Sequence, residues 1–469
     1  MAGGIAGPAL MQRAAAAAWR ELLRRWPRAQ RVTIFCGPGN NGGDGYEVAR
    51  LARRAGLEVQ VFQVLGTPRK GDAAAAHKAW LADDGSVLEF RNQAVMADVV
   101  VDAIFGIGLT RAPDGAAQAA ILAIGAAREQ GAGVLCIDVP SGLDADRGAV
   151  PGDAVRADLT VTFIGAKPGL HTGAGPDYTG RVVFDDLEVP GNAYDGVPGV
   201  AEALCADALA EVLPRRARTA HKGQMGHVLL VGGEQGMAGA ILLAARTALR
   251  SGAGWVSVAT RAAHTAALTA AQPEIMCHGV EEPRALRGLL ERATVIALGP
   301  GLGQTDWSRG LWSQALAAPQ PLVVDADGLN WLAENPLQRE DWVLTPHPGE
   351  AARLLKCSTA DVQNDRASAA RELRQRYGGV IVLKGAGTLV QGDSLALCPY
   401  GNPGMAVGGM GDVLCGLIAG LLAQGLGPES AARVGVLVHA LAGDRAAAHG
   451  ERGLTPSELL DELRPLLNP

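Results

Sequence analysis

Aromatic residues make up only 4% of this 469-residue chain, and it has no Cys-x-x-Cys pair, no apolar run long enough to span a bilayer and no excess of positive charge. Each shortage excludes a class of function. The seven cysteines, at 36, 136, 205, 277, 357, 398 and 415, are scattered singly. That odd number fits neither a disulfide framework nor a zinc site, and it suits a reducing cytoplasm. The N-terminus lacks the basic-then-apolar order of a secretory signal, so a protein with no membrane partner is expected. Lys and Arg total 42 against 48 Asp and Glu, a net charge of −6, which argues against nucleic acid or an anionic membrane as partner. With few aromatics the core must be aliphatic, and 48% hydrophobic against 19% charged residues excludes wholesale disorder.

Glycine is abundant, and it gathers in two strings at opposite ends of the chain: Gly37-Pro-Gly-Asn-Asn-Gly-Gly-Asp-Gly45 and Gly408-Gly-Met-Gly-Asp412. Each follows an apolar strand, carries one aspartate and leads into a segment with helical apolar spacing. A helix start offers unpaired N–H groups and a positive dipole end to an anion, so phosphorylated ligands are expected at both. Five glycines in the first string are expected to allow backbone conformations that bulkier residues resist.

The length favours two or three domains at about 150 residues each. Strands are expected at 31–36, 58–65, 99–102, 134–138 and 159–163, with helices at 10–26 and 46–54 and alanine-rich helical stretches between. This is the alternation of a doubly wound parallel sheet. Turn-forming residues from Pro190 to Gly199 break the pattern, and a basic stretch from Arg215 to Lys222 follows, placing a boundary near residue 205. The alternation then restarts, with strands at 228–231, 255–260, 295–298, 322–325 and 380–384 and helices at 238–250 and 412–424. The expected fold is α/β throughout, a Rossmann-like domain over 1–205 and a second α/β sandwich over 206–469.

In such sheets ligands gather beyond the carboxyl ends of the strands, which would bring residues 40–44, 102–108 and 138–144 to one crevice. Asp44 and Asp138 are candidates to give and take a proton there. The bland alternatives are a helix cap for Asp44, a loop cap for Asp138 and a solvated side chain for the nearby Lys167. The strings Asp102-Ala-Ile-Phe-Gly-Ile-Gly-Leu-Thr-Arg111 and Asp138-Val-Pro-Ser-Gly-Leu-Asp-Ala-Asp146 occur in order after the first glycine string. With these three motifs, the first 185 or so residues resemble the NAD(P)H-hydrate epimerase domain. The resemblance implies interconversion of the R and S hydrates of NADH and NADPH. It also implies a K⁺ ion at Asn41, Asp102 and Ser141, and a substrate held by Asn40, Asn41, Gly42, Gly43, Asp44, Gly106, Ile107, Gly108, Leu109, Thr110, Arg111 and Asp138. Family members carry an extra N-terminal helix before the segment matching Gly7–Arg13, which is either truncated or dispensable here.

In the second half, Val323-Val-Asp-Ala-Asp-Gly-Leu-Asn330 supplies two carboxylates, and Thr345-Pro-His-Pro-Gly-Glu350 an imidazole and a glutamate on a proline-stiffened turn, a setting for a divalent metal beside nucleotide phosphates. The string from Asn402 to Leu414 ends in glycines able to close on a developing phosphoryl charge, with Asp412 placed to take a hydroxyl proton or, more plainly, to cap the helix. It resembles the anion hole and catalytic base of ribokinase-like enzymes. From Lys222 to Leu463 the chain is similar to one branch of these, the ADP- or ATP-dependent NAD(P)H-hydrate dehydratases. The resemblance implies phosphorylation of the ring hydroxyl of the S hydrate and loss of phosphate, with ADP, or alternatively ATP, as donor together with Mg²⁺. Asp412 becomes the base. Lys384, Gly385, Ala386, Gly387, Thr388 and Gly411 match nucleotide positions; Ala240, Gly303, His347 and Asp412 match substrate positions; and Glu350 would organise Mg²⁺ through water. The family also implies a homo-oligomer. The competing reading keeps the fold and makes the second half a small-molecule kinase fused to a non-catalytic nucleotide-binding domain.

Overall fold

Short β-branched and aliphatic runs, each ended by glycine, proline or aspartate, set the strands. In a computed structural model, which describes residues 4–109 and 111–469, they form two separate sheets in two compact units, the first ending at Gly199 and the second starting at Val200.

The first sheet holds β1 (Arg31–Cys36), β2 (Glu58–Gln63), β3 (Leu88–Glu89), β4 (Val99–Ala103), β5 (Gly133–Ile137), β6 (Leu159–Phe163) and β7 (Arg181–Asp185). Their order is β3-β2-β1-β4-β5-β6-β7, and every pairing is parallel. Alternate residues face opposite layers. Ile34, Val101 and Ile137 pack with Ala18, Tyr46 and Trp80 from the helices Gly7–Arg25, Asn40–Arg54 and Gly71–Ala82. Phe35, Val100 and Cys136 pack with Ile121 and Ile124 of the helix Gly115–Glu129. Helices on both faces of a parallel sheet make it doubly wound, and the direction of strand order reverses beside β1 and β4, the place where a ligand crevice opens.

The second sheet contains β8 (Glu202–Ala203), β9 (His227–Val231), β10 (Trp255–Thr260), β11 (Met276–Gly279), β12 (Val295–Leu298), β13 (Leu322–Val324), β14 (Trp342–Leu344), β15 (Val380–Leu383), β16 (Thr388–Gln391) and β17 (Leu395–Cys398). The order is β11-β10-β9-β12-β13-β14-β15-β16-β17-β8. Pairing is parallel as far as β15, then antiparallel through β16 and β17. One face packs on the helices Ala238–Arg250, Met410–Ala423 and Pro428–Ala446, the other on helices carrying Trp307, Trp331, Leu354 and Leu373.

Two sequence expectations are corrected. The first glycine string is not a loop ahead of a helix at Tyr46: the helix begins at Asn40, with Gly39 as its N-cap. None of the string's five glycines adopts a positive φ. They are there for close approach instead; a Cβ on Gly42 would collide with the Gly37 carbonyl oxygen. The second correction concerns the helix after the other string. It begins at Met410 rather than at residue 412, and it is buried on nearly every side, exposing chiefly Gly411 and Asp412 at its start.

Candidate active sites

In the first unit Asp102, the last residue but one of β4, has a carboxylate wholly removed from solvent. Ser141 satisfies it twice, Oγ donating to Oδ1 at 2.6 Å and the backbone N–H to Oδ2 at 2.7 Å. Ser141 Oγ in turn accepts from Phe105 N at 2.9 Å, and Asn41 Nδ2 donates to Phe105 O at 2.7 Å. The amide oxygen of Asn41 is buried and has no hydrogen-bond partner among the described residues. Burial lifts the Asp102 pKa, opposed by the bonds from Ser141, Ile104 and Cys136. A spare amide oxygen beside a buried carboxylate and a hydroxyl is an all-oxygen donor set suited to a hard cation rather than to zinc.

Asp138 follows β5 at φ 65°, and the N–H of Val139 bonds to Ile137 O at 2.9 Å, closing a tight three-residue turn. This turn points the carboxylate toward β6. There Oδ1 accepts from Lys167 Nζ at 2.5 Å and Thr162 Oγ1 at 3.1 Å, while Lys167 Nζ also donates to Phe163 O at 2.8 Å. Lys167 is therefore not a solvated side chain, and Asp138 does not cap a loop; it is ion-paired. Its Oδ2 is aimed at the Gly106 loop, 3.5 Å from where a Gly106 Cβ would stand and close to Asn41. Asp44 lies in the second turn of the helix Asn40–Arg54, so it is not the cap. Burial, then the charges of Asp138 and Glu47, holds its pKa well above the ordinary aspartate value. Ile107 is 69% exposed, and Arg111 stands 3.7 Å from the exposed Asp114. Thr110 lies outside the described residues.

In the second unit Gly409 adopts φ 99° as the N-cap of the helix Met410–Ala423, which puts Asp412 in the first turn. Asp412 is consequently not the cap residue. Beneath that helix start, the buried Asp325 just past β13 and the partly buried Lys384 just past β15 meet at 2.6 Å. A Cβ on Gly411 would lie 3.2 Å from Lys384 Nζ and 3.4 Å from Asp325 Oδ2. Burial raises the Asp412 pKa to about 7, with Asp325 and Asp327 adding to the rise and Lys384 opposing it. Glu350 rises to about 7 for the same leading reason. Its Oε2 accepts from His347 N at 2.7 Å and stands 3.8 Å from Lys384 Nζ. His347 caps its helix, Nδ1 accepting from Gly349 N at 3.0 Å, and its side chain is 53% exposed, so it is no core histidine. Asp325 and Glu350 flank the Lys384 ammonium, but among the described residues no three His, Cys, Asp or Glu side chains gather closely enough to hold a metal ion, so a magnesium ion there would draw its remaining ligands from nucleotide phosphates and water.

Gly303 is pinned on both sides, its N–H to Asp327 Oδ2 at 2.8 Å and its carbonyl to Trp331 Nε1 at 3.1 Å. Ala240 flanks Gly301, whose Cβ would stand 3.2 Å from that of Ala240. Thr388 Oγ1 donates to Gly385 O at 2.9 Å, tightening the Lys384–Thr388 segment. Sequence reasoning missed the partnership of Asp325 with Lys384; the available signal was a carboxylate at the end of an apolar strand, Val323-Val-Asp325. The turn that carries it is strained, with Ala326 at φ 47°, ψ −121° and Gly328 N donating to Asp325 O at 2.9 Å.

Two family models match the chain, one in each unit. The family described as NAD(P)H-hydrate dehydratase matches residues 228–465, and that described as YjeF-related protein N-terminus matches residues 7–169. A bifunctional NAD(P)H-hydrate repair enzyme of Coxiella burnetii is 48% identical, covering 99% of this chain and 96% of its own. Its Escherichia coli counterpart is 43% identical, covering 98% and 89%. Among solved structures, the ADP/ATP-dependent NAD(P)H-hydrate dehydratase of Bacillus subtilis, co-crystallised with ATP and Mg²⁺, is 31% identical with a TM-score of 0.52, covering 57% of this chain and 98% of that one. The second unit is thus ribokinase-like, and no helix among the described residues is long and apolar enough to cross a membrane. The chain belongs to the family of bifunctional NAD(P)H-hydrate repair enzymes.

Proposed function

We propose that the two units act in turn on one damaged cofactor, the first interconverting the R and S hydrates of NADH or NADPH and the second removing the S form. The arrangement of Asp412 over the Asp325–Lys384 pair carries the second assignment, and the Asp138–Lys167 pair facing Asn41 carries the first.

The hydrated ring bears its hydroxyl on a carbon bonded to the ring nitrogen. In the first unit Asp138, ion-paired with Lys167, takes the hydroxyl proton. The carbon–nitrogen bond opens, its electron pair passes to nitrogen, and Asp44, whose pKa burial raises well above the ordinary aspartate value, supplies a proton there. Rotation and the reverse steps deliver the other epimer. Asn41, Asp102 and Ser141 would hold K⁺, which supplies a fixed positive charge beside substrate phosphates or the ring carboxamide. Asn40, Gly42, Gly43, Gly106, Ile107, Gly108, Leu109 and Arg111 line the substrate seat.

In the second unit Asp412 takes the proton of the S-hydrate hydroxyl as its oxygen attacks the terminal phosphorus of ADP. AMP leaves, and the N–H groups at the start of the helix Met410–Ala423 receive the transferring charge. Expulsion of phosphate, with loss of the neighbouring ring proton, restores the dihydronicotinamide. Lys384, Gly385, Ala386, Gly387, Thr388 and Gly411 hold the nucleotide, while Ala240, Gly303 and His347 hold the hydrate. Glu350 would bind Mg²⁺ through water, which neutralises phosphate charge. ADP is the donor, the site is cytoplasmic and the working form is an oligomer. Incubating purified S hydrate with ADP or ATP and Mg²⁺ tests the assignment: return of NADH absorbance supports it, and accumulation of a stable phosphorylated product points to a kinase instead.

A further inference from the structure

Arg366 is a charged side chain only 1% exposed, and no step above uses it. It opens the helix Arg366–Tyr377, where the helix dipole already disfavours a cation, and burial lowers its pKa to about 10. A group placed against two opposing forces is kept for its donors. Nη2 donates to Leu383 O at 3.1 Å and to Lys384 O at 3.2 Å, the last carbonyl of β15 and the first beyond it. Nη1 is aimed by Gln363 Oε1 at 2.7 Å. The chain then turns directly over the guanidinium: Gly385 has φ 131°, and a Cβ there would lie 3.1 Å from Nη1. From the other side Lys384 N donates to Pro346 O at 2.9 Å, and Lys384 Nζ is tied to Asp325.

We propose that Arg366 is a positioning residue of the nucleotide site, its buried guanidinium fixing the backbone from which Lys384 reaches Asp325 and from which the segment through Thr388 meets the nucleotide. This rests on reading Lys384–Thr388 as the nucleotide segment. The guanidinium acts through the two backbone carbonyls that it holds. A lysine in its place has a point charge without the fork that serves two carbonyls and Gln363 at once.

The test uses the full chain with S hydrate, ADP and Mg²⁺, and compares Arg366→Lys, Arg366→Met, Gln363→Leu and Gly387→Val. Misplacing the segment by a fraction of an ångström to an ångström is expected to lower kcat/KM for nucleotide by about 10²-fold in both Arg366 variants, through KM, with the hydrate KM and epimerisation unchanged. Gln363 is exposed, so Gln363→Leu folds in any event and is expected to raise the nucleotide KM in the same direction by less. The proposal is overturned if Gln363→Leu and Arg366→Lys keep the wild-type nucleotide KM, or if nucleotide and hydrate KM rise together. Gly387→Val tests the segment itself. An unchanged nucleotide KM there removes the underlying reading, whereas a raised one beside unaffected Arg366 and Gln363 variants removes the role of Arg366 alone.

Discussion

Lys384 Nζ lies 2.6 Å from Asp325 Oδ1, so the buried ammonium is bound to a carboxylate that faces the proposed catalytic base. Burial lowers the pKa of Lys384, but Asp325 and Glu350 together hold it above its ordinary value. Asp325 raises the Asp412 pKa while Lys384 lowers it. Asp325→Asn removes a neighbouring negative charge and releases the ammonium toward Asp412, and both changes favour the ionised base. The acidic limb of the dehydration pH profile, set near pH 7 by Asp412, is therefore expected to move down by about one unit. An unmoved limb would mean that another group controls it.

Asp412→Asn is expected to lower dehydration by roughly 10²- to 10⁴-fold while epimerisation continues. Stability should move the other way. A carboxyl whose pKa is about 7 in the folded chain and about 4 unfolded contributes stability that is fully present below about pH 4 and lost as pH rises through about 7. The uncharged asparagine escapes that loss. Tm of the variant should exceed that of the wild type at about pH 8, with the gap closing in acid.

Ser141→Ala strips the Oγ donor from fully buried Asp102 and is expected to destabilise the first unit by about 1.5–3 kcal/mol, read by denaturant unfolding. Asn41→Leu removes only the spare amide oxygen and one bond to Phe105. It should abolish the acceleration of epimerisation by K⁺ over tetramethylammonium. Equal rates for the wild type in the two salts would remove the cation from the account.

Ala326 takes a backbone conformation that glycine adopts freely at the first central position of this turn. Ala326→Gly is expected to stabilise the second unit by about 1 kcal/mol, since relief of strain exceeds the added chain entropy of the unfolded state. A lower Tm would show that the turn is not strained.

Much of this was legible in the sequence because strand ends carry the chemistry. Asp102 and Asp138 lie at the ends of the neighbouring parallel strands β4 and β5, which the alternation places together, whereas Asp412 was marked by its glycine string and sits in the first turn of a helix. The helix start at Asn40 was hidden because close-packed glycines look the same as loop glycines until their neighbours are known. The ion pairs of Asp138 with Lys167 and Asp325 with Lys384 join residues 29 and 59 positions apart, a separation over which periodicity carries no information. The three-residue β14 and the two-residue β8 are too short to show a period, and β8 depends on its partner β17. The hairpin of β16 and β17 did leave a signal, Gly392-Asp-Ser394 between two apolar runs.

The central claim is that two sites serve one metabolite in series. An equilibrated mixture of R and S hydrates, supplied with ADP and Mg²⁺, tests it most directly when followed by NADH absorbance and chromatography of the remaining epimers. Wild type should convert the whole mixture. Asp138→Ala should convert the S fraction at the wild-type rate and then slow to spontaneous epimerisation, leaving R hydrate behind. Complete conversion by Asp138→Ala at an undiminished rate would contradict the account.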